Sequence, residues 1–309
     1  MTSDAAPNGP LPLSKVTIET VTTVAGIAAL QPDFERLLRA TGNTLPFALH
    51  EWHLSWCRHF INCSPNIHDE PHFYVLRNAE RACVAILPFI ISRCRIGPLK
   101  VTSIGLLGAD RAITEIRAPL VERGYEHLAV RAVRDSLTGI SDWHWIHWAG
   151  ASDEFAEALS HDGPLEWQPP VEDFILDLPP TWEEFRSGLK RNIRESLRHC
   201  YNSLKRHGHQ FELRVIEEPD DVRRHLDRYL ELHRMRAHMN LAVPHPDRFA
   251  SRICRNFLYE VCGRRAERCA YLRSRSDRAL SPCGSALWLR TVCICITRGT
   301  TPSGLAIAS

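Results

Sequence analysis

The alternation of helix-type and strand-type patterning between Leu178 and Arg236 constrains this fold more than any other stretch of the sequence. Pro179 and Pro180 close a strand-like run, Thr181 can cap a helix, and Glu184 three residues on completes a capping box. Phe185, Leu189, Ile193 and Leu197 then recur every four residues and predict one apolar helical stripe, with Arg186, Lys190, Arg194 and Arg198 in the adjacent row. Gly208 is a stop signal, and Phe211 to Ile216 alternates as a strand. Pro219 with Asp220 and Asp221 opens a second helix that ends Leu232-His233-Arg234-Met235-Arg236. A chain whose apolar period switches this way is α/β layered rather than a sandwich.

The first half carries the same theme. Val16 to Val21, His72 to Arg77, Arg81 to Ser92, Val101 to Leu107 and Trp143 to Trp148 read as strands. Gln31 to Ala40, Ala48 to Phe60 and Tyr125 to Leu137 have helical spacing, Phe155 to Leu159 is a short helix, and a third helix of the second half falls near Asp247 to Cys262. Aromatics on both faces of Trp143 to Trp148 predict a strand covered on both sides, and His144 and His147 point to opposite faces, which argues against a shared metal. At 309 residues two domains, or one large one, are expected, and the turn-rich stretch Gly163 to Pro170 is where a boundary would fall.

The block as a whole resembles the FemAB-related branch of the GNAT acyltransferases, which includes the CelD-type, BioF2-like acetyltransferase domains. The matching order is Leu178-Pro179, Trp182 to Phe185, the Lys-Arg-Asn-x-Arg run Lys190 to Arg194, the extended segment Phe211 to Ile216, and Leu232 to Arg236. Phe47, Trp52, Trp56 and Ala85-Ile86-Leu87-Pro88 fit more loosely. The resemblance implies tandem GNAT-like domains with mixed sheets flanked by helices. These would be a polar N-terminus over 1–14, a first domain over 15–165, a second over 170–268, and an aberrant tail over 269–309.

Net charge of +2 gives no global pull toward nucleic acid or membrane, so the basic row is a local feature. It is either a solvated face or an anion-binding row. No secretory signal is visible in Met1 to Leu13, and the strongest apolar run, Cys83 to Ile91, is too short to span a bilayer, which sets the expectation of a cytoplasmic protein. Eleven cysteines show neither a C-x-x-C pair nor zinc-ligand spacing, so no metal is expected and free thiols packed as small hydrophobes are.

From about Cys269 the chain changes character: Arg273, Arg275, Arg278, Arg290 and Arg298 face one acid, Asp277, and periodicity fades. Reading from the third codon base, Val292 to Thr297 permits Leu-Tyr-Leu-Tyr-Tyr, and the run to Ser309 permits Ala-Gly-Tyr-Asp-Pro-Glu-Trp-Ala-Arg-Tyr-Ser. A tyrosine-rich strand and a Gly-Tyr-Asp-Pro turn are what the resembled family carries after its third helix. The expectation is therefore a frameshift near residues 268–273, a truncated and incomplete second domain, and a chain that is a poor catalyst.

As the resemblance implies, such enzymes move an acyl group from acyl-CoA, or from aminoacyl-tRNA in FemAB members, to an amine or hydroxyl. Lys190, Arg191 and Arg194 are candidates for the phosphates of donor or substrate. His233 is the candidate general base, since a near-neutral pKa suits proton removal from an amine, and Arg236 could hold an anionic group beside it. A buried, hydrogen-bonded structural histidine is the competing reading of His233. The acceptor expected by family association is a small molecule or a cell-envelope or polysaccharide precursor. The alternative is a non-enzymatic polyanion- or nucleic-acid-binding protein using the basic helix over 185–206; the near-neutral chain and the lack of interleaved aromatics disfavour it.

Overall fold

The computed structural model describes residues 16–43, 45–108, 119–140, 142–148, 155, 158, 178–206, 214–216, 218–239, 246–264, 270–273 and 293–294. The N-terminal stretch 1–14, the expected boundary Gly163 to Pro170 and most of the expected strand Phe174 to Leu178 lie outside these residues, as does the tail apart from 270–273 and 293–294.

The first half is a mixed α/β unit built on a central hairpin. Strand β2 (Ile67–Asn78) pairs antiparallel with β3 (Cys83–Ile96), with Tyr74 opposite Leu87 and a bulge between Leu76 and Arg77. The turn between them is fixed by Asn78, whose Oδ1 accepts from the Ala82 N–H at 2.9 Å, and by Arg81 in a left-handed conformation at φ 62°. Strand β1 (Val16–Val21) adds to β2, and β4 (Leu99–Leu106) adds to β3. Pro71 is tolerated in β2 because β1 stops pairing at Phe73, so the missing N–H faces no neighbouring strand. A short β5 (Leu120–Val121) pairs with the start of β3.

The last strand, β6 (Trp145–His147), runs parallel to β4, with Ile104 opposite Ile146. Parallel neighbours need a crossover, and helix α4 (Glu126–Thr138) lies in the connection. The six-stranded sheet therefore runs β1-β2-β3-β4-β6, with β5 off the path at β3.

Helices cover both faces, as the sequence led us to expect. The two-residue alternation sends Phe73, Val75, Ile86 and Ile90 to one face, where they meet α1 (Val24–Ala29), α2 (Gln31–Thr41) and α3 (His50–Phe60) through Ile27, Phe34, Leu37 and Trp56. Tyr74, Leu76, Leu87, Phe89 and Ile91 go to the other face, against Ala129, Ala132, Val133 and Leu137 of α4. The continuous apolar run of β3 is explained by this double coverage, since every residue from Cys83 to Ile91 is buried.

Two expectations change here. Trp143 and Trp145 are 41% and 51% exposed, so β6 is not covered on both sides among the described residues; only its Ile146 face, with Trp148 beyond it, packs on the second core. Among the described residues β6 ends the strand order, with β4 as its hydrogen-bonded neighbour. Second, the basic helix is broken. Helix α5 (Trp182–Gly188) ends at Leu189, whose ψ of 148° is extended, and α6 (Arg191–Arg206) starts afresh. The i+4 stripe of Phe185, Leu189, Ile193 and Leu197 passes through Gly188, the weakest helix former in the run, and the helix ends there.

Helix α7 (Pro219–Ala237) and α8 (Arg252–Arg264) complete the described helices of the second half. Val222, Leu226 and Leu230 of α7 bury against Cys262 of α8. The opposite side of α8 enters the first unit's core: Phe257 is 0% exposed and Val261 5%, both packed with the residues of α3. Trp52 meets Phe257 edge-on at 5.0 Å, and Phe60 lies 5.3 Å from the same ring. A second, three-stranded antiparallel sheet joins β7 (Arg214–Ile216), β8 (Ala270–Arg273) and β9 (Cys293–Ile294), with Val215 opposite Leu272 and Ala270 opposite Ile294.

Candidate functional site

The segment that carries the basic row begins as its sequence dictates. Thr181 Oγ1 accepts from the Glu184 N–H at 3.2 Å, which satisfies one of the unpaired amides of the first turn of α5. At the break, Arg194 Nη1 donates to the Ser187 carbonyl at 3.0 Å and staples the first turn of α6 to the last turn of α5. An arginine on a terminal carbonyl is a helix-end contact, so part of Arg194's charge is engaged structurally. Arg191 Nε pairs with Glu195 Oε1 at 2.9 Å one turn on. Lys190, Arg191 and Arg194 are all exposed.

His233 lies in a different environment. Its side chain is 9% exposed, between Phe249 at 4.9 Å and Tyr229 at 6.0 Å. Nε2 accepts the N–H of Arg248 at 3.2 Å, and Asp247 Oδ1 lies 3.7 Å from the same nitrogen. An acceptor nitrogen carries no proton, so the neutral ring holds its hydrogen on Nδ1. Asp247 Oδ1 in turn accepts from the Phe249 N–H at 3.1 Å. The histidine thus fastens the turn before α8 onto α7. To remove a proton from a substrate through Nε2 it must first release Arg248. Arg236, three residues along α7, is half-buried. The structure therefore sets His233 and Arg236 on consecutive turns of one anchored helix, and Lys190, Arg191 and Arg194 on and beside another, exposed one.

Sequence reasoning missed the polar joint between the halves. Glu260 on α8 receives Arg58 Nη1 at 2.6 Å and His59 Nε2 at 2.7 Å from α3. The partners stand some 200 residues apart, and no local pattern announces them. It missed as well the cluster at the end of β2 and β3, where Arg93 Nη1 meets Glu70 Oε2 at 2.9 Å and His72 Nδ1 lies 3.9 Å from Glu70 Oε1. Burial pushes the His72 pKa down, the nearby Glu70 opposes that shift, and Arg93 adds to it.

Among the described residues no group of three or more histidine, cysteine, aspartate or glutamate side chains is arranged to hold a metal ion. Among them, too, no helix is long and apolar enough to cross a membrane. His144, weighed as a ligand and set aside from the sequence, uses Nδ1 to accept the Thr102 N–H at 3.1 Å.

Residues 191–293, about a third of the chain, match the acetyltransferase (GNAT) domain family. The matched stretch spans α6, β7, α7, α8, β8 and the start of β9. It supports acyl transfer as the general class of activity, and GNAT domains in general use acyl-CoA as donor. It gives no support to the polyanion-binding alternative. No curated protein and no solved structure matches the chain.

Proposed function

We propose that this chain is an acyltransferase of the GNAT type, of the FemAB-related, CelD-type branch, that moves an acyl group from acyl-CoA to an amine or hydroxyl. The observation that carries the proposal is the match of residues 191–293 to the acetyltransferase domain. The branch rests on Trp182 to Phe185, Lys190 to Arg194 and Leu232 to Arg236 standing in the order that branch shows. Two GNAT-like domains, over 15–165 and 170–268, are supported by the first unit's sheet: antiparallel strands followed by the parallel β4–β6 pair, with helices on both faces.

Acyl transfer needs a deprotonated nucleophile and donors for the developing oxyanion. In our reading His233 takes the acceptor's proton once Arg248 has been released, and Arg236 holds an anionic group of the acceptor. Lys190, Arg191 and Arg194 meet phosphate from the solvent side. The acceptor is a small molecule or an envelope or polysaccharide precursor, and the setting is cytoplasmic. The tail from about residue 269 is read as out of frame, which impairs this chain. The family match runs on to Cys293, inside that tail, so the frame has to be decided by sequencing the gene across codons 265–275.

Calorimetry with acetyl-CoA, on this chain beside a frame-restored one, tests the reading. The expected result is binding by the restored chain and none by this one. Comparable binding by both would refute the impairment, and silence from both would refute the donor.

A further inference from the structure

We propose that Asp247 receives His233 when the imidazole carries a proton, so that the turn before α8 changes its hold on α7 with the protonation of that one ring. The exchange stands whether or not the chain transfers acyl groups. Its catalytic consequence rests on the reading of His233 as the general base.

The hydrogen-bonding capacity of the ring forces the exchange. Nε2 of His233 accepts the Arg248 N–H at 3.2 Å, which only a ring nitrogen without a hydrogen can do. A protonated imidazole carries a hydrogen on both nitrogens and accepts nothing. Protonation therefore sets the N–H of His233 against the N–H of Arg248 and breaks that bond. An acceptor stands ready on the same turn. Asp247 Oδ1 lies 3.7 Å from Nε2, within about 1 Å of the ~2.8 Å length of a charge-assisted bond.

Asp247 suits that role. Its side chain is 18% exposed and that of His233 9%, so the pair forms where a single charge counts for more than on an open surface. Oδ1 already accepts the Phe249 N–H at 3.1 Å, and a carboxylate oxygen has a second lone pair to offer. Release of Arg248 is also local. Arg255 on α8 donates through Nη1 to the carbonyls of Phe249 at 2.8 Å and Ala250 at 2.6 Å, and the Phe249 ring lies 4.9 Å from the imidazole. Those contacts do not depend on the proton, so the turn stays on α8 while the Arg248 amide is freed.

Among the described residues, the charged and titratable groups around the ring and its turn are Asp247 and Arg248, Arg255 on α8, and Tyr229 and Arg236 on α7. Two of them act on Nε2 with opposite sign. The Arg248 N–H favours the neutral ring, and the Asp247 carboxylate favours the charged one. When His233 takes the acceptor's proton, Asp247 holds the charged ring in place until that proton passes to water and Arg248 returns. Asp247 touches the base and not the substrate, which makes it a positioning residue.

The test is a pH titration of the full chain by NMR, with isotope-labelled histidine and arginine and His233→Gln to assign both signals. The Arg248 amide should shift upfield with the same midpoint as the His233 ring, and that response should vanish in His233→Gln. Asp247→Asn keeps the cap on the Phe249 N–H, because an amide oxygen accepts as a carboxylate oxygen does, but removes the charge. It should lower the His233 midpoint by about one pH unit, a tenfold loss of proton affinity. Should Asp247→Asn fail to fold, the joint titration in the unmodified chain decides alone. A ring that titrates while the Arg248 amide stays still overturns the proposal. So does an Asp247→Asn midpoint that is unchanged or raised, or a ring that stays neutral down to about pH 4, far below the usual histidine range. The base is judged separately: the expected titration in a chain whose acyl transfer survives His233→Gln refutes the base and upholds the exchange.

Discussion

Phe257→Ala is the sharpest perturbation of how the two halves depend on each other. Phe257 belongs to the stretch that matches the acetyltransferase domain, yet its ring is 0% exposed in the core of the first unit. It meets Trp52 edge-on at 88°, Phe60 at 5.3 Å and His59 at 6.5 Å. Truncating a buried Phe to Ala costs about 3–5 kcal/mol, and edge-on aromatic pairs of this type add about 0.5–1.5 kcal/mol beyond area. A loss of about 4 kcal/mol is therefore expected, a large part of the roughly 5–15 kcal/mol that a folded domain holds. Urea unfolding followed by tryptophan emission is the assay, because Trp52 and Trp56 sit in that core. The variant's midpoint should fall sharply, whereas Ile193→Ala on exposed α6 should change stability by no more than about 0.5 kcal/mol. A Phe257→Ala loss below about 1 kcal/mol, or unfolding that leaves the Trp52 and Trp56 signal untouched, would refute the shared core.

Other predictions follow from buried titratable groups and the polar joint. Burial, then His50 nearby, pushes His53 from 6.5 down to about 3. A histidine held neutral in the fold stabilises it above pH 6.5, and that contribution is lost as pH falls toward 3, by up to about 1.4 kcal/mol per pH unit. Thermal melts across that window should show the loss, and His53→Leu should flatten it. Glu260→Gln removes the ion pairs to Arg58 and His59; because the partly exposed arginine is screened, urea unfolding should show a cost of about 1 kcal/mol, well under that of Phe257→Ala. Burial pushes the Cys57 and Cys83 thiols up to about 12, while Cys63 and Cys200 are exposed. Ellman's reagent at neutral pH should therefore label Cys63 and Cys200 in the native chain and reach Cys57 and Cys83 only on unfolding.

What the sequence disclosed and what it hid divide along the range of the interactions. The central hairpin was legible, because the apolar run Cys83 to Ile91 and the turn residues after Asn78 are local signals. The same holds for the start of α5 at Thr181 and of α7 at Pro219. The break at Leu189 was not legible, since the apolar period continues across it and only the Ser187 and Arg194 contact shows where the new helix begins. The exposure of Trp145 depends on which elements cover each face of β6, a matter of tertiary packing rather than of local pattern. For the candidate site, the sequence put His233 near the end of the helix that closes at Arg236. That Nε2 would be spent on the Arg248 amide depends on how the intervening chain closes, which no residue type encodes. Likewise Phe257 reads as an ordinary apolar helix position, and nothing nearby says that its partner is Trp52.

The two groups of candidate residues differ in how firmly they are held, and that difference predicts how each would act. A group that moves a proton must be fixed to within about 0.5 Å by packing around it. α7 meets that demand: Val222, Leu226 and Leu230 are buried against α8, and α8 is locked to α3 by Phe257 and Glu260. α6 does not, since none of its described side chains is buried. An exposed cationic row can attract and retain an anion, for Coulomb attraction tolerates displacement, but it does not align a reacting atom. On a preparation that turns over, Lys190→Ala and Arg191→Ala should therefore raise KM and flatten its salt dependence with kcat little changed. His233→Gln, which can still accept from Arg248, should lower kcat with KM nearly constant and remove one limb of the pH profile. The reverse pattern, a kcat loss from the α6 variants and an unchanged pH profile in His233→Gln, would move the proton transfer away from α7 and leave His233 as the fastener of the turn at Asp247 and Arg248.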